Sequence, residues 1–484
     1  MNTPFRGFEK KLRMIDRQKI EEEFASPWGR DWNGAVYFIG IGGIGMSAIA
    51  RFFHSKGVRV SGYDKTPTVL TRELEASGIA IHYIEDVAQI PKEVELVVYT
   101  PAIPAEHKEL QYYRENGYKV VKRSEVLQII TASSFNICIA GTHGKTTVTT
   151  MVAHLLRHSG FGCNAFLGGI SGNYGTNFWS SEKNVVVVEA DEYDRSFLKL
   201  DPDIAVITAM DADHLDIYGN VESVEQAFID FSRKVKSGGL LLKKFGLTRG
   251  KELEADNQET YSLQNDAADV YATNIRMMNG SYEFDVMMKD NMLDNVKLHM
   301  GGMHNVENVI AAIRVASSLQ IENKKIKDAV EAFQGVKRRF EYVVKSDNIV
   351  FIDDYAHHPE ELRALLQGAR SLFGGRKCTM VFQPHLYTRT RDFADGFAEA
   401  LDLADEVYLL PIYPARELPI EGVTSELISS KMKRARVTLT SKDEVLERLK
   451  KEKEEVGPWM VITAGAGDID TLVTPIRQII ENRK

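Results

Sequence analysis

Gly141-Thr142-His143-Gly144-Lys145-Thr146-Thr147 places a lysine and two hydroxyls directly behind a pair of glycines. Those residue types suit a polyphosphate. Glycine lets the backbone approach an anion, and free N–H groups at a helix start point at it. Lys145 offers a full charge to the β and γ phosphates, and the Thr146 hydroxyl can ligate Mg2+. A strict Walker A pattern wants glycine at position 139, where Ile139 stands. The bland alternative is a chance glycine-rich turn. The setting speaks against it: an apolar strand (Ile137 to Ala140) precedes the loop and helical residues (Val148 to His158) follow.

Two further strands end in groups that serve such a loop. Asn184 to Val188 runs into Glu189-Ala190-Asp191-Glu192-Tyr193-Asp194, and carboxylates at a strand's C-terminal end are placed to hold Mg2+. Glu189 is the expected ligand, since so apolar a strand turns it inward; a solvated acidic turn is the alternative. Ile204 to Met210 ends in Asp211-Ala212-Asp213-His214-Leu215-Asp216, which makes His214 a metal or phosphate ligand in place of an ordinary structural histidine. Between them lies a glycine-rich loop, Gly168 to Tyr174, with no assigned role. Downstream, Gly301 to Asn308 opens an alanine-rich helix, where His304, Asn305 and Asn308 suit either an adenine or helix capping.

A different chemistry gathers near the C-terminus. A strand at Ile349 to Ile352 ends in Asp353-Asp354-Tyr355-Ala356-His357-His358, and one at Thr379 to Phe382 ends in Gln383-Pro384-His385-Leu386-Tyr387-Thr388-Arg389. Open α/β sheets bind ligands at the C-terminal ends of their strands. Arg389 has the planar fork that fits a carboxylate. The paired histidines can instead cap the next helix.

The elements that must position these groups read as repeated α/β units. Val36 to Ile39 is a buried strand, followed by Gly40-Ile41-Gly42-Gly43-Ile44-Gly45-Met46-Ser47, a helix through Phe53, and a strand from Val58 to Tyr63 ending at Asp64. This is the G-x-G-x-x-G pattern of a βαβ unit with an acidic residue ~20 positions on. Taken alone it suits NAD; physically it requires only a diphosphate on the helix N-terminus. Strands are also expected at Leu96 to Tyr99, Lys119 to Val121, Glu406 to Leu410 and Trp459 to Thr463. Phe245 to Leu298 reads as an irregular β-rich lobe. The expected organisation is α/β in three domains. A charged extension over 1–33, with a possible surface helix from Lys10 to Phe24, precedes a Rossmann-like domain over 34–132. A central P-loop-type α/β domain covers 133–336 and a Rossmann-like α/β domain covers 337–484.

Composition narrows the class. The chain has 484 residues, enough for about three domains at ~100–200 residues each. Net charge is −8, which argues against nucleic acid as the main partner and leaves Lys337-Arg338-Arg339 as a local site for anionic ligands. Three widely spaced cysteines, Cys138, Cys163 and Cys378, form no zinc or disulfide pattern and fit a reducing cytoplasm. No apolar run approaches the ~20 residues that span a bilayer, so no membrane insertion is expected. The N-terminus lacks the apolar core of a signal peptide. A monomer or weak homodimer is the expectation. A diphosphate site, an ATP–Mg2+ site and a carboxylate site together suit an ATP-driven condensation better than hydride transfer.

Eight motifs carry a resemblance: GIGGIGMS (40–47), GTHGKTT (141–147), EADEYD (189–194), DADHLD (211–216), GMHNVEN (302–308), RRF (338–340), DDYAHHP (353–359) and QPHLYTRT (383–390). In this order they resemble the Mur ligases of peptidoglycan synthesis. DADHLD with QPHLYTRT is similar to the members that add L-alanine to UDP-N-acetylmuramate, and unlike the tripeptide-recycling branch. The resemblance implies that Gly40, Gly42, Gly43, Gly45, Met46, Ser47 and Asp64 serve the UDP-sugar. It implies ATP contacts from Gly141, Thr142, His143, Gly144, Lys145, Thr146 and Thr147, with His304, Asn305 and Asn308 on the adenine side. Arg339 and Asp354 would reach ATP from the third domain, which implies closure on binding. Thr146, Glu189 and His214 would hold two Mg2+ ions. Tyr355, His357, His385 and Arg389 would surround L-alanine. Lys145, His214, Glu189, His357 and Arg389 are thus the expected catalytic set.

Three departures stand out. Leu386 occupies a position where many relatives have arginine. Ile84-Glu85 replaces a Gly-His pair after the third strand of the first domain. No lysine occurs between His214 and Lys234, so the carbamylated lysine of some Mur ligases is not expected. The rival readings are a Mur-type ligase adding a peptide or another amino acid, an NAD-dependent oxidoreductase, and a non-catalytic assembly protein on a ligase fold.

Overall fold

The computed structural model describes residues 34–211, 215–278, 280–289, 291–415, 417–455 and 457–481. The candidate helix from Lys10 to Phe24 and the candidate ligand His214 lie outside them. By compactness the chain divides into two units. One takes the described residues up to Thr273 with Val286–Asp294 and Glu307–Val330; the other takes Asn274–Asp285, Asn295–Val306 and Glu331 onward.

The first unit holds two sheets. Strands β1 (Ala35–Ile39), β2 (Arg59–Tyr63), β3 (Ala80–His82), β4 (Leu96–Tyr99) and β5 (Val120–Lys122) pair in the order β3-β2-β1-β4-β5, all parallel. The apolar runs of the central strands β1 and β4 follow from burial on both faces. Residue patterning alone does not delimit β3, because its three residues, exposed or half-buried, give no periodic signal.

The second sheet is built on β6 (Phe135–Ala140), β7 (Asn164–Phe166), β8 (Phe178–Trp179), β9 (Val185–Glu189), β10 (Ile204–Ile207), β11 (Leu240–Lys244) and β12 (Asn257–Ser262). β6 lies between β9 and β10, parallel to both. In register, Ile139 faces Glu189 and Ala140 faces Ile207, so three strand ends arrive level where the phosphate loop begins. The strand order continues to ten with β13 (Val270–Met278), β14 (Ser281–Met288) and β15 (Asn291–Leu298), whose residues are divided between the two units. The stretch read as an irregular lobe is therefore regular: β14 alternates half-buried and buried residues along its length.

One apolar core serves both sheets of this unit. It runs from Val36, Phe38 and Phe52 to Phe166, Phe178, Val186 and Val188. Phe52, on the helix Ile44–Ser55, packs 5.5 Å from Phe166 and 6.1 Å from Phe178 between ring centres.

In the second unit, β16 (Glu341–Lys345), β17 (Ile349–Asp354), β18 (Lys377–Phe382), β19 (Glu406–Leu409), β20 (Arg436–Leu439) and β21 (Trp459–Ala464) form a sheet in the order β16-β17-β21-β18-β19-β20. All neighbours are parallel except β16, an antiparallel edge. The edge strands β16 and β20 are partly solvated and were not anticipated. Asp354, Ala464 and Phe382 lie in register, so the loops after them emerge at one rim.

Candidate active site

The phosphate loop closes β6 and opens the helix Lys145–His158. Its cap, Gly144, has φ +81°, a left-handed conformation that a side chain would strain. The loop is tied to β10: Thr208 Oγ1 donates to the His143 carbonyl, and Asp211 N donates to Thr142 Oγ1 at 3.1 Å. The Thr147 side chain is buried, the His143 side chain is exposed, and Asn308 Oδ1 lies beside Gly144.

Lys145 Nζ donates to the Gly141 carbonyl and to Glu192 Oε1, both at 2.7 Å. Burial works to lower its pKa, but Glu192, Glu189 and Asp191 outweigh it and raise it, so the ammonium stays charged. Burial pushes Glu192 the other way, toward protonation, and Lys145 opposes that. At 2.7 Å the charge-assisted bond decides, and the pair is ionic. Thr146 Oγ1 donates to Glu189 Oε1 at 3.1 Å. A hydroxyl and a carboxylate side by side are hard oxygen donors that fit Mg2+, which takes one or two carboxylates and fills its shell with water and phosphate. The sequence singled out Glu189 and missed Glu192; nothing in EADEYD distinguishes the lysine's partner without the backbone geometry.

The glycine-rich loop has a position too. Gly168 lies against Glu189 so closely that a Cβ would overlap the carboxylate. Farther along, Asn177 Nδ2 donates to the Ile44 carbonyl at 2.6 Å and to Ser47 Oγ at 2.9 Å. The segment 168–177 thus touches the Glu189 carboxylate at one end and the first glycine fingerprint at the other. In that fingerprint Gly40 has φ +86°, Gly43 caps the helix Ile44–Ser55, and Gly42 N donates to Asp64 Oδ2 at 2.8 Å. Met46 is in the core and the Ser47 hydroxyl donates to the Ile44 carbonyl, so both side chains are committed to packing.

In the second unit, His304 lies against Gly302, and the buried Asn305 amide donates to the Gly301 carbonyl at 2.6 Å. Arg339 sits in a turn whose neighbours Arg338 and Phe340 have φ +61° and +48°. The turn is pinned by Phe340 N donating to Asp354 Oδ2 at 2.6 Å and Tyr355 N donating to the Arg338 carbonyl at 2.7 Å. The Asp354 carboxyl also accepts from Ala356 N at 2.7 Å. Burial pushes it up to about 6, against Arg339 and these N–H donors. The Arg339 guanidinium lies 5.3 Å from the centre of the Tyr355 ring.

Tyr355, His357, His385 and Arg389 come together at the rim. Ring centres are 5.4 Å apart for Tyr355 and His357, and 6.0 Å for His357 and His385. Arg389 Nη1 is 3.3 Å from His385 Nδ1. His357 Nδ1 faces the Tyr355 carbonyl at 2.9 Å, which assigns the proton of the neutral ring to Nδ1 and the lone pair to Nε2. Burial lowers the pKa of His357; Glu361 opposes this and Arg389 adds to it. His358 does cap the helix Pro359–Leu372, the local role that the sequence allowed for the pair. Leu386 has φ +71° and caps the helix Tyr387–Asp392. The sequence missed Tyr413, whose ring stacks 5.9 Å from His385 through a bridge that pairs the two backbones.

Residues 35–135 match the profile described as "Mur ligase family, catalytic domain", 139–316 the "Mur ligase middle domain", and 338–467 the "Mur ligase, glutamate ligase domain". The chain belongs to the Mur ligase family. Among its relatives, the UDP-N-acetylmuramate–L-alanine ligase of Cytophaga hutchinsonii is 47% identical over 458 residues, covering 93% of this Mur ligase and 97% of the relative. The enzyme of the same name from Porphyromonas gingivalis is 47% identical over 453 residues, covering 92% and 99%. The crystal structure of UDP-N-acetylmuramate-alanine ligase from Thermotoga maritima superposes with a TM-score of 0.78 at 29% identity, covering 93% of this Mur ligase and all of that chain. No helix among the described residues is long and apolar enough to cross a membrane.

Proposed function

We propose that this Mur ligase joins the amino group of L-alanine to the lactyl carboxylate of UDP-N-acetylmuramate, driven by ATP, as a cytoplasmic step of peptidoglycan synthesis. One observation carries the reading beyond the family: a phosphate loop with Lys145 and Thr146 set against Glu192 and Glu189 coexists with a separate His357–His385–Arg389 cluster. The first group suits acyl activation, the second an amino acid. The relatives bearing this activity in their names support it. We divide the labour as UDP-sugar binding by 34–132, ATP binding by 133–336 and amino-acid binding by 337–484.

The lactyl carboxylate attacks the γ-phosphorus of ATP, breaks its bond to the bridging oxygen, and leaves as an acyl phosphate with release of ADP. Lys145 binds the β and γ phosphates, held charged by Glu192. Thr146 and Glu189 would hold Mg2+, which when bound supplies positive charge against the repulsion between carboxylate and triphosphate. Asn308 stands at the loop, and Arg339 and Asp354 are assigned to ATP from the C-terminal segment. The L-alanine carboxylate is gripped by Arg389. Its amine attacks the acyl carbon, the amine's proton passes to Nε2 of the neutral His357, and the tetrahedral intermediate collapses with loss of inorganic phosphate.

Phosphate release from ATP and Mg2+, with and without UDP-N-acetylmuramate, across a panel of amino acids and the L-Ala-γ-D-Glu-diaminopimelate tripeptide, tests this. Turnover that needs the sugar nucleotide and peaks with L-alanine is the expected result. Turnover only with the tripeptide moves the protein to the recycling branch, and tight NAD binding without turnover overturns the ligase reading.

A further inference from the structure

Arg123 begins the helix Arg123–Ala132 and lines a cavity of about 120 Å³ with Gly45, Leu127, Gly168, Glu189 and Asp191. Its Nη2 meets Asp191 Oδ2 at 3.3 Å, and no other acceptor engages the guanidinium among the described residues. Its Nη1 lies so close to Gly45 that a Cβ there would overlap it.

The local structure around Arg123 stands without its guanidinium. Asp191 is held without it: Oδ1 accepts from Tyr193 N at 3.1 Å, and its carbonyl accepts from Ser196 Oγ at 2.9 Å and Phe197 N at 3.1 Å. At the helix start, Glu125 Oε2 accepts from Lys122 N at 2.6 Å without any part played by Arg123. A guanidinium in the first turn of its own helix, lying against the first turn of the helix Ile44–Ser55, sits at the positive ends of two dipoles, where a cation is disfavoured. An anion arriving in the cavity would meet a planar donor fork at one wall and the Glu189 carboxylate at another.

From these facts we infer that Arg123 is a substrate-binding residue that exchanges the Asp191 carboxylate for an oxyanion of the sugar nucleotide. The inference rests on the reaction proposed above. Two oxyanions share this chemistry, a phosphate of the diphosphate and the lactyl carboxylate, and both can pair with arginine through two parallel bonds.

Calorimetric titration of UDP-N-acetylmuramate and UDP-N-acetylglucosamine into the wild type, Arg123→Ala and Arg123→Lys, with steady-state KM values for all three substrates, tests it. Arg123→Ala is expected to weaken UDP-N-acetylmuramate at least ~10-fold, as for loss of a charge-assisted bond. Its KM should rise in step, while those for ATP and L-alanine hold; Arg123→Lys should recover part of the loss. A loss shared by UDP-N-acetylglucosamine assigns the phosphate, and one confined to UDP-N-acetylmuramate assigns the carboxylate. An unchanged affinity, or a lowered melting temperature with parallel losses for all three substrates, overturns the inference. A wild type that binds neither sugar nucleotide overturns the proposed reaction instead, with calorimetry telling the two failures apart.

Discussion

Lys145 and Glu192 meet at 2.7 Å beneath the phosphate loop, with Glu192 almost wholly buried and the Lys145 side chain 13% exposed. Lys145→Ala therefore has two expected effects. Turnover falls by ~10²–10³, the usual loss for a preorganised electrostatic group. Stability falls by ~3–5 kcal/mol, because an uncompensated carboxylate is left buried. The double variant Lys145→Ala/Glu192→Gln should regain most of the stability and none of the activity. Chemical denaturation and phosphate release measure the two effects; near-normal turnover of the single variant would remove the loop from catalysis.

Gly168→Ala pushes a methyl group into the Glu189 carboxylate. We expect kcat to drop ~10–100-fold, the range for misplacing a reacting group by about an ångström. The Mg2+ concentration for half-maximal rate should rise, with an unchanged circular dichroism spectrum. A variant with normal Mg2+ dependence would mean that Glu189 is not a ligand.

Arg389→Ala should raise the KM for L-alanine ~10–100-fold, matching the ~1.5–3 kcal/mol of a hydrogen bond to a charged group, and leave the KM for ATP alone. A parallel change in both would mean that the side chain acts on the fold and not on the amino acid.

His154 supplies a pH dependence with a definite sign. Nε2 bonds the Ala329 carbonyl at 2.8 Å, the Tyr174 hydroxyl lies 3.1 Å from Nδ1, and burial lowers the pKa to about 4 from 6.5. The unfolded chain thus binds the extra proton first. The stability this group contributes is present above pH ~6.5 and is lost as pH falls through about 4, on the order of 3 kcal/mol in all. Urea denaturation from pH 7.5 to 4.5 should show that slope in the wild type and a shallower one in His154→Gln. Equal slopes would mean that the imidazole ionises freely in the folded state.

What the sequence disclosed, and what it withheld, follows from how local each signal is. Gly144, Lys145 and Thr146 announce themselves because a phosphate loop is contiguous, and strand β6 before it is apolar throughout. Glu189 was legible as the end of a valine-rich strand. Glu192 was not, since choosing among neighbouring carboxylates needs the turn Tyr193–Lys199 that follows. Arg123 opens an ordinary amphipathic helix far along the chain from Asp191, and Tyr413 reaches His385 only through a long-range bridge. Strands β3, β16 and β20 were lost because short or half-solvated edges carry little periodicity.

Phe52, Phe166 and Phe178 form a dry seam between the helix that starts at Ile44 and the sheet that ends at Glu189, and Asn177 rivets the same seam from its polar side. Opening it would wet three phenylalanines. Gly45 and Glu189 therefore stand at a span set when the core closes, like the jaws of a caliper locked at one opening. On the assignment proposed above, a nucleotide sugar laid between them would be gauged by length, from its phosphates to its reacting carboxylate. Discrimination of that kind needs no side chain that touches the sugar ring.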